Sequence, residues 1–403
     1  MKFPANKILL IATRQIGDVL LVTPLLRSLR RAYRDAVIDV LVYDNKGGML
    51  EGNPDYNTLI SVAEHPNFGE YKTFLKQIFR RYDLVISTLP GDRPLIYALL
   101  AAPKRVSIVP SRGWQGALKR FVVQAWTELD NTHTVIQNLR LADLLGIERC
   151  YALVIPQSID SIEILDQRLP FAWQTQPFAV LHLLPLWHYK RWTFTGWAQL
   201  VHYLIKAGLR VVLTGGGSQQ ETAYFREALL NMPDSVINLA GKLRFSDVAQ
   251  LIGASQVYIG PDTAVTHLAA ATGALTIALY GPTNPKKWAP WPHNYALDKT
   301  PFFAIRNVLQ NGENDRYSTT LSSPLSGQTK LFINNSPIHN SQLYKGTQRV
   351  GNVVLVQGVG ECVPCHQEGC DRHKQSRSRC LEELDSATVI KAVKELLVMG
   401  NAN

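Results

Sequence analysis

VYIGPDTAVTHLAAATG, residues Val257–Gly273, holds a strand, a tight turn and a helix start in quick succession. A short apolar run, Gln256–Ile259, breaks at Gly260–Pro261, and a helix of small residues begins at Ala264. Asp262 and Thr263 stand where an N-cap belongs, just ahead of the periodic apolar positions Val265, Leu268 and Ala269. Backbone N–H groups in the first turn of such a helix have no internal partner, and together with the helix dipole they favour an anion. Alanine and glycine leave the backbone open to close approach. The segment therefore predicts a strand–turn–helix unit that holds a phosphate group, with an ordinary capped βα turn as the plainer alternative.

Outward from this unit the same alternation repeats. Ala179–Leu184 reads as a strand, Trp197–Ala207 as a helix, and Arg210–Leu213 as a strand ending in Thr214-Gly-Gly-Gly217. Thr222–Leu230 and Phe245–Gly253 read as helices on either side of the strand Val236–Leu239, and Ala274–Tyr280 is a strand running into Gly281-Pro-Thr-Asn-Pro285. The first half alternates likewise, with strands at Ile8–Ala12, Val37–Tyr43, Leu59–Val62 and Leu84–Ser87 and helical patterns at Leu20–Leu29, Tyr71–Arg81 and Val135–Leu145. Gly146 is placed to cap the last of these. Strands alternating with helices imply parallel sheets with crossovers. The expected fold is α/β, with two Rossmann-like, doubly wound domains at 1–160 and 177–383, linked by the proline-flanked stretch Ile155–Pro177. Neither half carries GxGxxG after its first strand, which argues against a nicotinamide dehydrogenase.

A chain of 403 residues is long enough for two cores of ordinary size. Its formal net charge of +10 points to an anionic partner. No run approaches the roughly 18 apolar residues of a membrane helix. Met1–Ile11 reads as a buried first strand and not as a secretory signal, so a cytoplasmic protein is expected. Arg306–Arg349 lacks periodicity and reads as a polar surface excursion, and Ser386–Met399 as a closing amphipathic helix. Cys362, Cys365, Cys370 and Cys380 have the beginning of a zinc or iron knuckle, against which stands a loop of reduced thiols. Five cysteines with four crowded together do not make a disulfide framework.

In open α/β sheets ligands bind beyond the carboxyl ends of the strands. Asp18 follows the first strand, where a carboxylate can take a proton from an attacking hydroxyl or merely cap a helix. Lys190, in Lys190-Arg-Trp192, follows the strand Ala179–Leu184 and is suited to neutralising a departing diphosphate. Gly215 and Gly216, the turn Asp262–Thr263, and Thr283–Asn284 are further strand ends on the same edge, with His267 one turn inside the helix. No DxD occurs, so nothing marks a divalent-metal grip on a sugar nucleotide. Pro103–Trp126 carries Lys104, Arg105, Arg112, Lys119 and Arg120 with no acid, and is expected on a phosphorylated acceptor or an anionic membrane surface, with a solvated basic loop and helix as the equal alternative. A nucleic-acid binder would interleave more aromatics with such charges than Trp114 and Trp126 supply.

With these residues assembled, the chain resembles glycosyltransferase family 9, the ADP-heptose:lipopolysaccharide heptosyltransferases. The resemblance rests on Ile16-Gly-Asp-Val-Leu-Leu-Val-Thr-Pro24, Lys190-Arg-Trp192, Leu239-Ala-Gly-Lys242, Gly260-Pro-Asp-Thr-Ala-Val-Thr-His267 and Tyr280-Gly-Pro-Thr283. Asn53-Pro-Asp55 and the LAGK stretch look closest to the branch that adds the third, side-chain heptose of the inner core. The family implies a GT-B fold with a C-terminal helix crossing back to the first domain, and inversion without metal. It makes Asp18 the general base and Lys190, Asp262, Thr263, Ala264, His267 and Thr283 the nucleotide-sugar site, with Gly215, Gly216 and Leu243 lining the adenosine pocket. Arg14, Gln15, Lys104, Arg105 and Arg112 fall to the acceptor, a lipopolysaccharide core at the cytoplasmic face of the inner membrane. Ala264 stands where glycine is frequent in the family, and Ser218 where some members carry an acid near the ribose. A protein acceptor, favoured by the cysteines, and a non-catalytic sugar-nucleotide binder are the alternatives.

Overall fold

The computed structural model of the chain describes residues 3–110, 119–129, 131–303, 332–333, 336–337 and 346–400. Arg112, Trp114 and most of the excursion from Arg306 to Arg349 lie outside the described residues.

The amino-terminal half is a six-stranded, wholly parallel sheet in the order β3-β2-β1-β4-β5-β6. Its strands are β1 (Lys7–Ile11), β2 (Val37–Tyr43), β3 (Thr58–Val62), β4 (Leu84–Ser87), β5 (Lys104–Val109) and β6 (Gln124–Thr127). Ile8–Ile11 and Leu84–Ile86 are wholly buried, as expected of central strands covered by helices on both faces, and this is why their sequences read as unbroken apolar runs. The basic stretch after Pro103 supplies β5 and β6, which its charges conceal: Lys104 and Arg105 are half-buried while Val106–Val109 is buried.

The carboxyl-terminal half repeats the plan. Here β7 (Phe178–His182), β8 (Arg210–Thr214), β9 (Ile237–Asn238), β10 (Val257–Pro261) and β11 (Thr276–Tyr280) are joined by β14 (Thr347–Val350) and β15 (Val353–Gln357). The order is β14-β15-β11-β10-β7-β8-β9, parallel except for β14 at the edge, and β12 (Phe332–Ile333) pairs β13 (Ser336–Pro337) in a separate hairpin. Strand order reverses between β1 and β4 in one sheet and between β7 and β10 in the other, so each sheet has its ligand crevice there. β10 runs on through Gly260 and Pro261, beyond the break its sequence suggests. Glycine is required there because a Cβ would lie 2.2 Å from Tyr258 Oη.

Two expectations are corrected. The link Ile155–Pro177 contains a helix, Ser161–Arg168, with Leu165 wholly buried. The C-terminal helix Ser386–Gly400 does not cross back to the first domain. Val389, Ala392, Val393 and Leu396 are buried with the helix Phe194–Lys206 of the second half, and Ser386 Oγ donates to Gln199 Oε1 at 2.5 Å. That apolar face finds its cover locally.

The halves meet through matched contacts. Gly17 in the helix Ile16–Leu20 lies against Ala264, whose Cα would be 3.3 Å from a Cβ at Gly17. His133 Nε2 reaches the Ala289 carbonyl at 2.8 Å, and Arg244 pairs with Glu51, Asp160 and Asp247. Among the described residues no helix is long and apolar enough to cross a membrane.

Candidate active site

A cleft of about 910 Å³ opens between the halves at the carboxyl ends of β1 and β10. Its walls combine Arg14, Gln15 and Asp18 from the first half with Lys190, Asp262, Thr263, Ala264, His267 and Thr283 from the second.

Asp18 sits in the first turn of Ile16–Leu20, whose N-cap Gln15 makes no side-chain cap bond. Asp18 Oδ2 is 3.8 Å from Arg14 Nε, and Oδ1 is buried with no hydrogen-bond partner among the described residues. A capping role leaves that oxygen unexplained, whereas an incoming hydroxyl would satisfy it. Burial pushes the carboxyl above its ordinary range, outweighing the pull of Arg14, Lys190, the Gln15 backbone N–H and Lys287. The result is a stronger base.

Lys190 closes a single 3₁₀ turn, His188–Lys190, after β7, and its Nζ lies 2.5 Å from Asp262 Oδ2. Burial pushes the Asp262 carboxyl up, but Lys190, His267 and the Thr283 hydroxyl outweigh it and hold the group below the usual carboxylate range. Thr263 is the N-cap of Ala264–Thr272, its hydroxyl accepting from the Thr266 N–H at 3.4 Å, and Gly273 at φ +89° ends the helix. The first-turn N–H groups of Ala264 and Val265 face no carbonyl within their helix, and Ala264 itself lines the cleft. Burial drives His267 down to about 4, with Asp262 opposing and Lys190 adding, so its imidazole is neutral at pH 7. Its Nδ1 is buried without a partner among the described residues, unlike that of a core histidine satisfied by a carbonyl. The wall thus presents a cation, helix N–H groups and a neutral imidazole to an anion, opposite a basic carboxylate.

Other expected residues stand elsewhere. Gly215, Gly216 and Leu243 are not in the cleft wall. A Cβ at Gly215 would lie 2.4 Å from Phe225 Cε2, and Gly217 packs on Gly241, so glycine is needed there for packing. The Gly216 N–H donates to Glu221 Oε1 at 3.1 Å, which brings an acid to the turn where Ser218 appeared to lack one. Leu243 packs half-buried against the core. Lys104 and Arg105 begin β5, at the amino ends of a parallel sheet whose carboxyl ends face the cleft; Arg105 Nε donates to the Val122 carbonyl, and Lys104 lies 5.6 Å from the Phe3 ring. Lys119 pairs with Asp92 at 2.7 Å.

The structure adds residues that the sequence reading did not single out. Lys287 and Trp288, in the short helix Pro285–Trp288 after the Thr283–Asn284 turn, line the cleft, as do Tyr189 and His366–Glu368. Only the turn before Lys286-Lys-Trp288 signalled them. His366 comes from the cysteine loop, tied down by its N–H to the Pro282 carbonyl at 2.8 Å. Cys362 and Cys370 are exposed, Cys365 is half-buried and Cys380 is buried. Burial, then the neighbouring Cys365, Cys362 and Cys370, push the Cys380 thiol up to about 12. Among the described residues no three His, Cys, Asp or Glu side chains form a metal ligand set.

The pattern of glycosyltransferase family 9 (heptosyltransferase) matches residues 74–299. Lipopolysaccharide heptosyltransferase 3 of Escherichia coli K12 is 29% identical over 290 residues, covering 70% of this chain and 84% of the relative. The fold is that of E. coli ADP-heptose lps heptosyltransferase II, with a TM-score of 0.67 at 20% identity over 98% of this chain and 99% of that one. A family 9 glycosyl transferase from Veillonella parvula superposes with a TM-score of 0.70 at 18% identity, covering 99% of each chain. With more than half of its length matched by the family pattern, and the same two-sheet architecture throughout, the chain belongs to glycosyltransferase family 9 and is a glycosyltransferase.

Proposed function

We propose that this enzyme transfers heptose from ADP-heptose to the inner core of lipopolysaccharide, with inversion at the anomeric carbon and without a catalytic metal. The observation that carries the reading is Asp18, with its buried, unpartnered oxygen, facing Lys190, His267 and the Ala264 helix start across one cleft. The acceptor hydroxyl attacks as Asp18 takes its proton, and the diphosphate leaves toward Lys190, the first-turn N–H groups and the His267 ring. A base and a leaving-group site on opposite walls suit a single in-line displacement, which inverts the centre. Residues 1–160 hold the acceptor and 177–383 the nucleotide sugar, with Gly215, Gly216, Glu221 and Leu243 on the adenosine side. The enzyme works in the cytoplasm, at the inner face of the inner membrane. The relatives named as lipopolysaccharide heptosyltransferases support heptose as the transferred sugar and lipopolysaccharide as the acceptor.

The test is to incubate the pure protein with ADP-heptose and truncated lipopolysaccharides in EDTA. ADP release dependent on one acceptor, with an inverted product linkage by NMR, is the expected result. Release abolished by EDTA would remove the metal-free mechanism, and a retained linkage would remove Asp18 as base.

A further inference from the structure

Trp288 is half-buried in the cleft wall beside the helix that carries Asp18. Its backbone is pinned from two directions. The Tyr280 hydroxyl donates to its carbonyl at 2.7 Å, and the next carbonyl, of Ala289, takes His133 Nε2 at 2.8 Å from the other half. The Arg14 guanidinium carbon lies 5.6 Å from the indole centroid, and Lys287 Nζ also lies 5.6 Å from it.

These cations differ in how far they are engaged. Lys190 is 2.5 Å from Asp262 and Lys287 is 3.1 Å from Glu128, whereas the nearest carboxylate to Arg14 among the described residues is Asp18, at 3.8 Å. Arg14 is therefore the guanidinium most able to accept a new anion, and its planar fork matches phosphate. A rigid indole presents an apolar face, which suits the C–H face of a sugar ring. Asn284 Nδ2 and Asn131 Oδ1, one from each half, meet at 3.4 Å across the same wall and supply amide groups for hydroxyls.

We propose that Trp288, flanked by Arg14 and Lys287, is the seat of a phosphorylated pyranose of the acceptor. The ring stacks on the indole, the phosphate lies on Arg14, and the attacking hydroxyl is thereby delivered to Asp18. The inference rests on the heptosyltransferase reading and names what the acceptor must carry. Trp288 is a specificity-determining residue and takes no part in proton transfer.

The test uses the full chain without donor, titrated by saturation-transfer NMR with core oligosaccharide from deacylated lipopolysaccharide, both phosphorylated and dephosphorylated. Wild type should prefer the phosphorylated form by about tenfold or more, as one charge-assisted contact gives. Trp288→Ala should weaken both forms by about tenfold while Trp288→Phe keeps most of the affinity, and ADP binding by calorimetry should be unchanged in both, which also reports a folded nucleotide side. Arg14→Gln should erase the preference for phosphate and leave the dephosphorylated form bound as before. Equal affinity of wild type and Trp288→Ala, or a phosphate preference that survives Arg14→Gln, overturns the proposal. Binding as described with no ADP release from ADP-heptose would leave the platform standing and sink the heptosyltransferase reading, so the two failures are distinct.

Discussion

At the scale of single residues, Asp18 sets activity against stability. Its folded pKa is raised, so the folded state favours the neutral carboxyl. The stability tied to that form is complete below the unfolded pKa and is lost as the pH rises through the folded value. Asp18→Asn keeps the shape and removes the buried charge, so its melting temperature should exceed wild type by ~1–3 °C while kcat falls by about 10²–10⁴-fold. Calorimetry and an ADP-release assay measure the two together. A melting temperature below wild type would mean that the surrounding cations, and not burial, dominate this site. In wild type the acid limb of kcat/KM should lie above the ordinary carboxylate range, since the rate needs the ionised form.

At the scale of elements, the two helices that carry the chemistry, Ile16–Leu20 and Ala264–Thr272, pack directly against each other. Gly17 precedes the base and Ala264 opens the helix that faces the leaving group, and a Cβ at Gly17 would be 3.3 Å from Ala264 Cα. Alanine at 264 therefore already fills the space a glycine would leave. Gly17→Val puts γ-methyls into that contact and should separate the helices, costing about 1–3 kcal/mol of stability as overpacking does. Because reaction geometry is sensitive to displacements near 1 Å, kcat should fall by roughly 10²-fold with ADP affinity nearly retained. Ala264→Gly in the same variant should recover part of the rate. Failure of any recovery would place the damage within Ile16–Leu20 itself and away from the contact.

At the scale of the whole molecule, three buried histidines are held neutral. Burial lowers His133 to about 3 and both His182 and His267 to about 4. His133 takes the Val135 N–H on Nδ1 and so donates from Nε2 to Ala289 across the halves; protonation of Nδ1 would break the Val135 bond. Their unfolded pKa is about 6.5, so below it the unfolded chain binds protons that the folded one refuses. Stability should be full above about pH 6.5 and fall steadily toward pH 4, which urea titrations across that range can measure. His133→Gln should flatten part of this slope. A slope unchanged in that variant would assign the acid loss to His182, His267 and carboxylates such as Asp262, whose depressed pKa acts in the same direction at lower pH.

The local alternation of apolar runs and helical periods is enough to place most strands and helices, the βα turn at Asp262–Thr263, and Asp18 across one crevice from Lys190 and His267. Such patterns depend on neighbours in the chain, which the sequence states directly. Strands β5 and β6 stayed hidden because lysine and arginine at the start of β5 mask a short buried segment. The cover for the C-terminal helix, the strand edge on which Lys104 and Arg105 fall, and the meeting of Trp288 with Arg14 were settled only by tertiary structure. Each depends on which distant surface comes to face which, and that choice is made when burial is shared across the entire fold.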